Sequence, residues 1–188
     1  NYTLSKALDD ASDVGPTFHE LNIPQDVRNI GAETALSSFH HAHRFVFTGT
    51  YEIPGGWTVN TIGTFQTGAP ITINLPSDNA NVGPGPAQRP NLLRNPNLKT
   101  GRTAERWFDT DAFAMPAPFT FGNAGRNIVY EDGETNVDLS VTKQFMLRDQ
   151  ANLEFRAEIF NVFNFLNFVG APGRIAFTPN FGRLFNAG

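Results

Sequence analysis

Asn136-Val137-Asp138-Leu139-Ser140-Val141-Thr142-Lys143-Gln144-Phe145 is the stretch whose reading decides the fold. Val137, Leu139, Val141 and Phe145 fall on one side, and Asn136, Asp138, Ser140, Thr142 and Gln144 on the other. A period of two belongs to a β-strand, whose successive side chains leave opposite faces. After the short connection Leu147-Arg148-Asp149-Gln150 the pattern resumes: Leu153, Phe155, Ala157 and Ile159 oppose Asn152, Glu154, Arg156 and Glu158. Upstream, Phe45, Phe47, Tyr51 and Ile53 alternate with Arg44, Thr48, Thr50 and Glu52, with Val46 the exception. Pro54-Gly55-Gly56 then makes a tight turn into Trp57–Gln66, where Trp57, Val59, Thr61, Gly63 and Phe65 oppose Thr58, Asn60, Ile62, Thr64 and Gln66. Each run approaches the roughly 10 residues that a tilted membrane-crossing strand needs.

Composition agrees with strands and turns. Phe occurs 18 times, Gly and Pro supply 30 residues (17 plus 13), and charged residues are 17% of the chain, below the roughly one quarter of ordinary globular chains. Cysteine is absent, which removes disulfides, thiolate metal sites and Cys nucleophiles. A net charge of -4 without a basic stripe gives no reason to propose a nucleic-acid partner. No apolar run reaches the roughly 18 residues of a membrane helix, and barrel strands escape that criterion. The abrupt start at Asn1-Tyr2-Thr3-Leu4, with no signal peptide, implies that the true N-terminus lies upstream.

The connections alternate in length. Within each strand pair they are a few residues long. Between and around the pairs run long Pro-, Gly- and Asn-rich segments, Asp9 to His41, Thr67 to Thr135 and Asn167 to Gly188. Compact soluble domains seldom carry loops beyond ~15 residues, whereas outer-membrane barrels pair short periplasmic turns with long extracellular loops. Periodicity alone also fits a soluble β-sandwich with one wet face; loop asymmetry favours the barrel. On that reading Arg44, Glu52, Asn60, Gln66, Asp138, Glu154, Arg156 and Glu158 line a wet lumen, and Leu153, Phe155, Ala157 and Ile159 meet hydrocarbon. Trp57, Tyr51 and Phe145, beside the short turns, fit an aromatic girdle. Residues 160–168 are ambiguous: asparagines three apart suit a helical turn, but the Phe density favours a continued, bulged strand.

Particular stretches resemble Oar-like TonB-dependent receptors, those with an N-terminal carboxypeptidase-regulatory-like domain. They include Tyr2-Thr3-Leu4-Ser5-Lys6-Ala7-Leu8-Asp9-Asp10-Ala11-Ser12-Asp13, His43-Arg44-Phe45-Val46, Tyr51-Glu52-Ile53-Pro54, Gly55-Gly56-Trp57 and Gln66-Thr67-Gly68-Ala69-Pro70. Ser37-Ser38-Phe39, Arg89-Pro90-Asn91-Leu92, Trp107-Phe108-Asp109 and Phe121-Gly122-Asn123-Ala124-Gly125-Arg126-Asn127 also fit, as does Phe155-Arg156-Ala157-Glu158-Ile159-Phe160-Asn161-Val162-Phe163-Asn164. The resemblance spans nearly the whole chain in one order. It implies a plugged barrel of about 22 strands in the bacterial outer membrane that imports a large substrate with energy passed by TonB. The plug and the TonB-contacting segment are N-terminal in such receptors and are absent here. The sequence departs from the family at Asn186-Ala187-Gly188, where a last strand ending in an aromatic residue is expected. About five strands, near 1–8, 43–53, 57–73, 135–147 and 151–168, with long loops 9–42, 74–134 and 169–188, are fewer than the roughly eight of the smallest closed barrel. The chain is therefore read as an all-β, antiparallel segment of a transmembrane β-barrel, whose partners are outer-membrane lipid, the remainder of its own barrel and plug, and TonB.

Other chemistry is thin. His40-His41-Ala42-His43 and His19 form the only His cluster; His41 and His43 share a strand face and are weak metal candidates beside the plainer reading of exposed imidazoles. Asp9, Asp10 and Asp13 could offer oxygens to Ca²⁺ but lack a known loop motif. The carboxylate pairs Glu154/Glu158 and Asp109/Asp111 are commonplace spacings rather than a glycosidase pair. Gly83-Pro84-Gly85-Pro86 is a turn, not a phosphate cradle, and no nucleotide or hydrolase fingerprint occurs. No cofactor and no enzyme activity is expected. Trp107, Phe108, Phe113, Phe119 and Phe121 are either a substrate-capturing loop surface or packing within that loop. The competing function is a soluble β-sandwich that binds, for example, carbohydrate through residues 107–121.

Overall fold

The computed structural model describes residues 1–12, 23–83, 87–148 and 151–185. Eleven strands occur in chain order among them: β1 (Tyr2–Leu4), β2 (Leu8–Asp9), β3 (Ala35–Leu36), β4 (His43–Ile53), β5 (Trp57–Gln66), β6 (Pro70–Ile71), β7 (Asn91–Leu92), β8 (Phe113–Ala114), β9 (Val129–Tyr130), β10 (Glu134–Arg148) and β11 (Ala151–Ile159). Short 3₁₀ pieces occur at Ile30–Glu33 and Thr110–Ala112, and no α-helix occurs among the described residues. The chain is all-β. It divides into two compact units.

The first unit, residues 1–4, 42–67 and 133–167, is an open antiparallel sheet of order β1-β4-β5-β10-β11. β4, β5 and β11 have 11, 10 and 9 residues, the length that crosses a bilayer at a tilt of about 45°. The Pro54–Gly56 turn closes on the Ile53↔Trp57 pair, and both glycines take positive φ, 92° and 80°, which a side chain would resist. At the other hairpin the ladder shifts register between Met146 and Arg148 before Ala151; Asp149 and Gln150 lie outside the described residues.

Three strands are shorter than the sequence suggests. The one expected over 1–8 is only Tyr2–Leu4, and Leu8–Asp9 pairs instead with Ala35–Leu36. The run expected over 57–73 stops at Gln66. Gly68 is pressed against the Glu131 backbone, where an added Cβ would lie 2.1 Å from the carbonyl oxygen, and Pro70-Ile71 pairs with Val129-Tyr130 in the second unit. The strand expected over 151–168 ends at Ile159. Asn161 and Asn164 are left-handed, with φ of 48° and 52°, a conformation Asn tolerates better than most residues. The Asn161 side chain clamps the reversal, donating to the Phe165 carbonyl and accepting from its N–H, both at 2.9 Å. Asparagine geometry overrides the strand propensity of the phenylalanines.

The second unit, residues 5–41, 68–132 and 168–188, collects the three long connections. Their described residues are not structureless. Ile71, Ile73, Leu75, Trp107, Phe108, Phe113, Val129 and Leu184 form a buried core. Phe108, Phe113 and Phe181 meet edge to face with centroids 5.2–6.1 Å apart, the arrangement that suits ring quadrupoles. A buried ion pair, Arg89 with Glu33 at 2.5 and 3.0 Å, supports it. Both side chains are 3% exposed.

Candidate functional site

The register places all eight lumen candidates on one face of the sheet. Residues directly opposite in an antiparallel ladder share a face. Arg44 stands opposite Gln66. Glu52, Thr58, Thr142 and Arg156 make one row across four strands, and Thr50, Asn60, Ser140 and Glu158 make the next. Asp138 faces Ile62 and Glu154 faces Gln144. The rows are hydrogen bonded locally: Thr50 Oγ1 donates to Asn60 Oδ1 at 2.9 Å, and Asn136 Nδ2 donates to Asp138 Oδ1 at 2.9 Å. Arg156 lies between Glu154 (2.8 Å) and Glu158 (3.9 Å). With all three about half exposed, this triad contributes at most about 1 kcal/mol to stability; its consequence is a wet, mixed-charge surface. Asn60, Asp138, Ser140 and Glu158 line a shallow hollow of about 150 Å³ there.

The opposite face is apolar. Phe45, Phe47 and Phe65 lie with centroids 6.0–6.3 Å apart, and the Phe47 ring covers the gap left by its cross-strand partner Gly63. No second sheet seals this face within its unit: Tyr51 is 69%, Leu153 52% and Phe155 56% exposed. A soluble sandwich would bury them, so that alternative lacks its partner layer. Beside the short turns, Lys143 Nζ sits 5.3 Å from the Trp57 and Phe145 ring centroids and donates to the Gly55 carbonyl. A cation over aromatic rings at a strand end is the composition of a bilayer interface.

The remaining candidates resolve individually. Trp107, Phe108 and Phe113 belong to the core of the second unit, which favours packing over capture. Trp107 Nε1 donates to the Tyr130 carbonyl at 2.8 Å. Phe119 is different. Its ring is 75% exposed and its φ is 63°, held by Asn79, whose Nδ2 donates to the Ala117 and Thr120 carbonyls at 2.9 Å. Phe121 is half-buried beside a cleft of about 170 Å³ that Gln25, Arg28 and Val82 also line. Sequence reading missed Gln25 and Arg28, because nothing local marks them.

His43 Nδ1 is hydrogen bonded to the Tyr2 hydroxyl at 2.8 Å, and the buried His40 accepts the Ala7 N–H at 3.3 Å. No group of three or more His, Cys, Asp or Glu among the described residues is placed to hold a metal ion. Asp9 is taken by Arg126 (3.0 Å) and Ser12 rather than left open for Ca²⁺, and Asp10 is exposed. Asp13, His19 and Pro84 to Pro86 lie outside the described residues. Asp109 binds Arg94 and Arg106. Burial acts to raise its carboxyl pKa, but the hydrogen bonds from Arg106 and Arg94 outweigh it and hold the group below its usual range. The Gly83 N–H, with smaller help from Val82 and Gln88, likewise lowers Asp78 against the upward pull of burial. Both acids are ion-pair or loop-locking groups rather than proton donors.

An open sheet of membrane-crossing length, wet on one face and greasy on the other, defines the wall of a membrane β-barrel. The chain belongs to the outer membrane beta barrel domain family, whose model matches residues 1–188. Its place is the bacterial outer membrane, and lipid is the neighbour of its outer face. No curated protein and no solved structure matches the chain.

Proposed function

We propose that this chain is barrel wall and extracellular loop of a TonB-dependent transporter that takes up a large substrate, and that it does so without covalent chemistry. One observation carries the reading. The ladder register gathers Arg44, Glu52, Asn60, Gln66, Asp138, Glu154, Arg156 and Glu158 on one face and most aromatic and aliphatic side chains on the other, Val46 and Ile62 excepted. Charges of both signs on the inner face of a barrel give a water-filled lumen. The free edges of β1 and β11 require further strands of the same barrel, since an unpaired edge in lipid costs several kcal/mol per polar group, roughly. TonB dependence and a plug rest on the resemblance of residues such as Gln66-Thr67-Gly68-Ala69-Pro70 and Phe155-Arg156-Ala157-Glu158-Ile159-Phe160-Asn161 to Oar-like receptors.

The test is binding of the purified TonB periplasmic domain to the complete protein in detergent, paired with conductance in planar bilayers. Measurable TonB binding and a closed resting pore are expected. A permanently open channel that ignores TonB would leave a porin-like barrel in place of a transporter.

A further inference from the structure

We infer that the loop 94–109 of the second unit, with Arg183 beside it, is a binding site for a phosphate-bearing anion. The chain carries a net charge of -4, yet Arg94, Lys99, Arg102 and Arg106 fall within this one loop, and all four are exposed. The Asp109 N–H donates to the Pro96 carbonyl at 2.8 Å and closes the loop on itself. Bonds from Leu184 N to the Ala104 carbonyl (2.7 Å) and from Trp107 N to the Gly182 carbonyl (2.8 Å) fix the backbone of the exposed Arg183 alongside, its guanidinium 5.7 Å over the Phe185 ring. Five cations stand against Glu105, Asp109 and Asp111.

The arginines are held in place before any ligand arrives. Arg94 reaches Asp109 Oδ2 through Nε at 2.9 Å and a terminal nitrogen at 2.7 Å, and Arg106 reaches Oδ1 at 2.9 Å. One carboxylate thus fixes two guanidiniums, each still 53–55% exposed. The pair keeps one net positive charge and N–H donors facing water. Arg102 is steadied by the Leu98 carbonyl at 3.0 Å and lies 5.3 Å over the Trp107 ring. Pre-positioned planar guanidiniums suit the bidentate geometry of phosphate better than a flexible surface lysine does. The inference does not depend on transport, because binding needs neither TonB nor a plug.

Pyrophosphate titrated calorimetrically into the complete protein in detergent tests the site for a soluble anion. Nanodiscs with and without lipid A test a phosphorylated lipid headgroup as the source. Salt-sensitive binding in either arm is expected, weakened roughly tenfold to a hundredfold by Arg94→Gln with Arg106→Gln. Because that pair could disturb the loop, Lys99→Gln with Arg102→Gln is the second variant, expected to weaken binding severalfold. Asp109→Asn, which releases both guanidiniums while raising the net charge, should weaken binding, whereas attraction by charge alone would tighten it. No binding in either arm, or equal affinity in all variants, overturns the inference.

Discussion

Replacing Glu33 by Ala should unlock the second unit. Glu33 and Arg89 are each 2% exposed, and their side chains meet through two hydrogen bonds of 2.5 and 3.0 Å. Arg89 Nε is committed elsewhere, to the Ala124 carbonyl at 2.8 Å, so the guanidinium cannot swing out to water. Truncation strands a buried cation, at a cost of about 3–5 kcal/mol. It also removes the acceptor of the Gln25 N–H. Exposure is too small for solvent screening to discount the figure. In native-state hydrogen exchange read by mass spectrometry, peptides covering 23–36 and 87–97 should exchange roughly two to three and a half decades faster. Peptides from β4 and β11 provide the internal reference. Glu33→Met with Arg89→Met, which removes both charges, should recover most of the loss. Acceleration under about threefold for Glu33→Ala, or a double variant worse than the single, would refute the reasoning.

Three further outcomes follow from other contacts. Gly63→Val would put a Cβ 2.0 Å from the Phe47 ring and push it off Phe45 and Phe65, costing about 1–3 kcal/mol; heat-modifiable gel mobility should show a lower unfolding midpoint, restored in part by Phe47→Ala. Gly122→Ala meets the Arg89 and Pro90 carbonyl oxygens at 2.1 and 2.3 Å, rigid backbone that cannot step aside, so limited proteolysis should cut the second unit faster. Asp109 has a pKa lowered from 3.8, so its stabilisation is complete above that value and is lost as pH falls through the lower folded value. Protection at 94–109, corrected for the pH dependence of intrinsic amide exchange, should therefore hold steady from neutral pH down to 3.8 and fall below it, and Asp109→Asn should flatten that dependence.

The sheet was legible because a period of two survives in nearly every residue of 43–53, 57–66, 136–145 and 152–159, and register then sorts the lumen candidates automatically. The second unit was not legible. Its core draws Ile71, Phe108, Val129 and Leu184 from positions far apart in the chain, and no periodicity announces such a core. The resemblance gave Arg89-Pro90-Asn91-Leu92 and Arg126 as pattern residues. Their physical reason, ion pairs to Glu33 and Asp9, emerges only from contacts more than 50 residues apart. The Asn161 clamp had a visible signal in asparagines three apart, outvoted by phenylalanine.

The most direct test uses the absence of cysteine from these 188 residues, with any cysteine elsewhere in the complete protein first replaced by serine. Single cysteines placed from 152 to 159 in the complete protein, in intact outer membranes, are probed with a membrane-impermeant maleimide. Glu154, Arg156 and Glu158 positions should label and Leu153, Phe155 and Ala157 positions should not. Uniform labelling, or the opposite phase, would contradict the assignment of one face to water and the other to lipid.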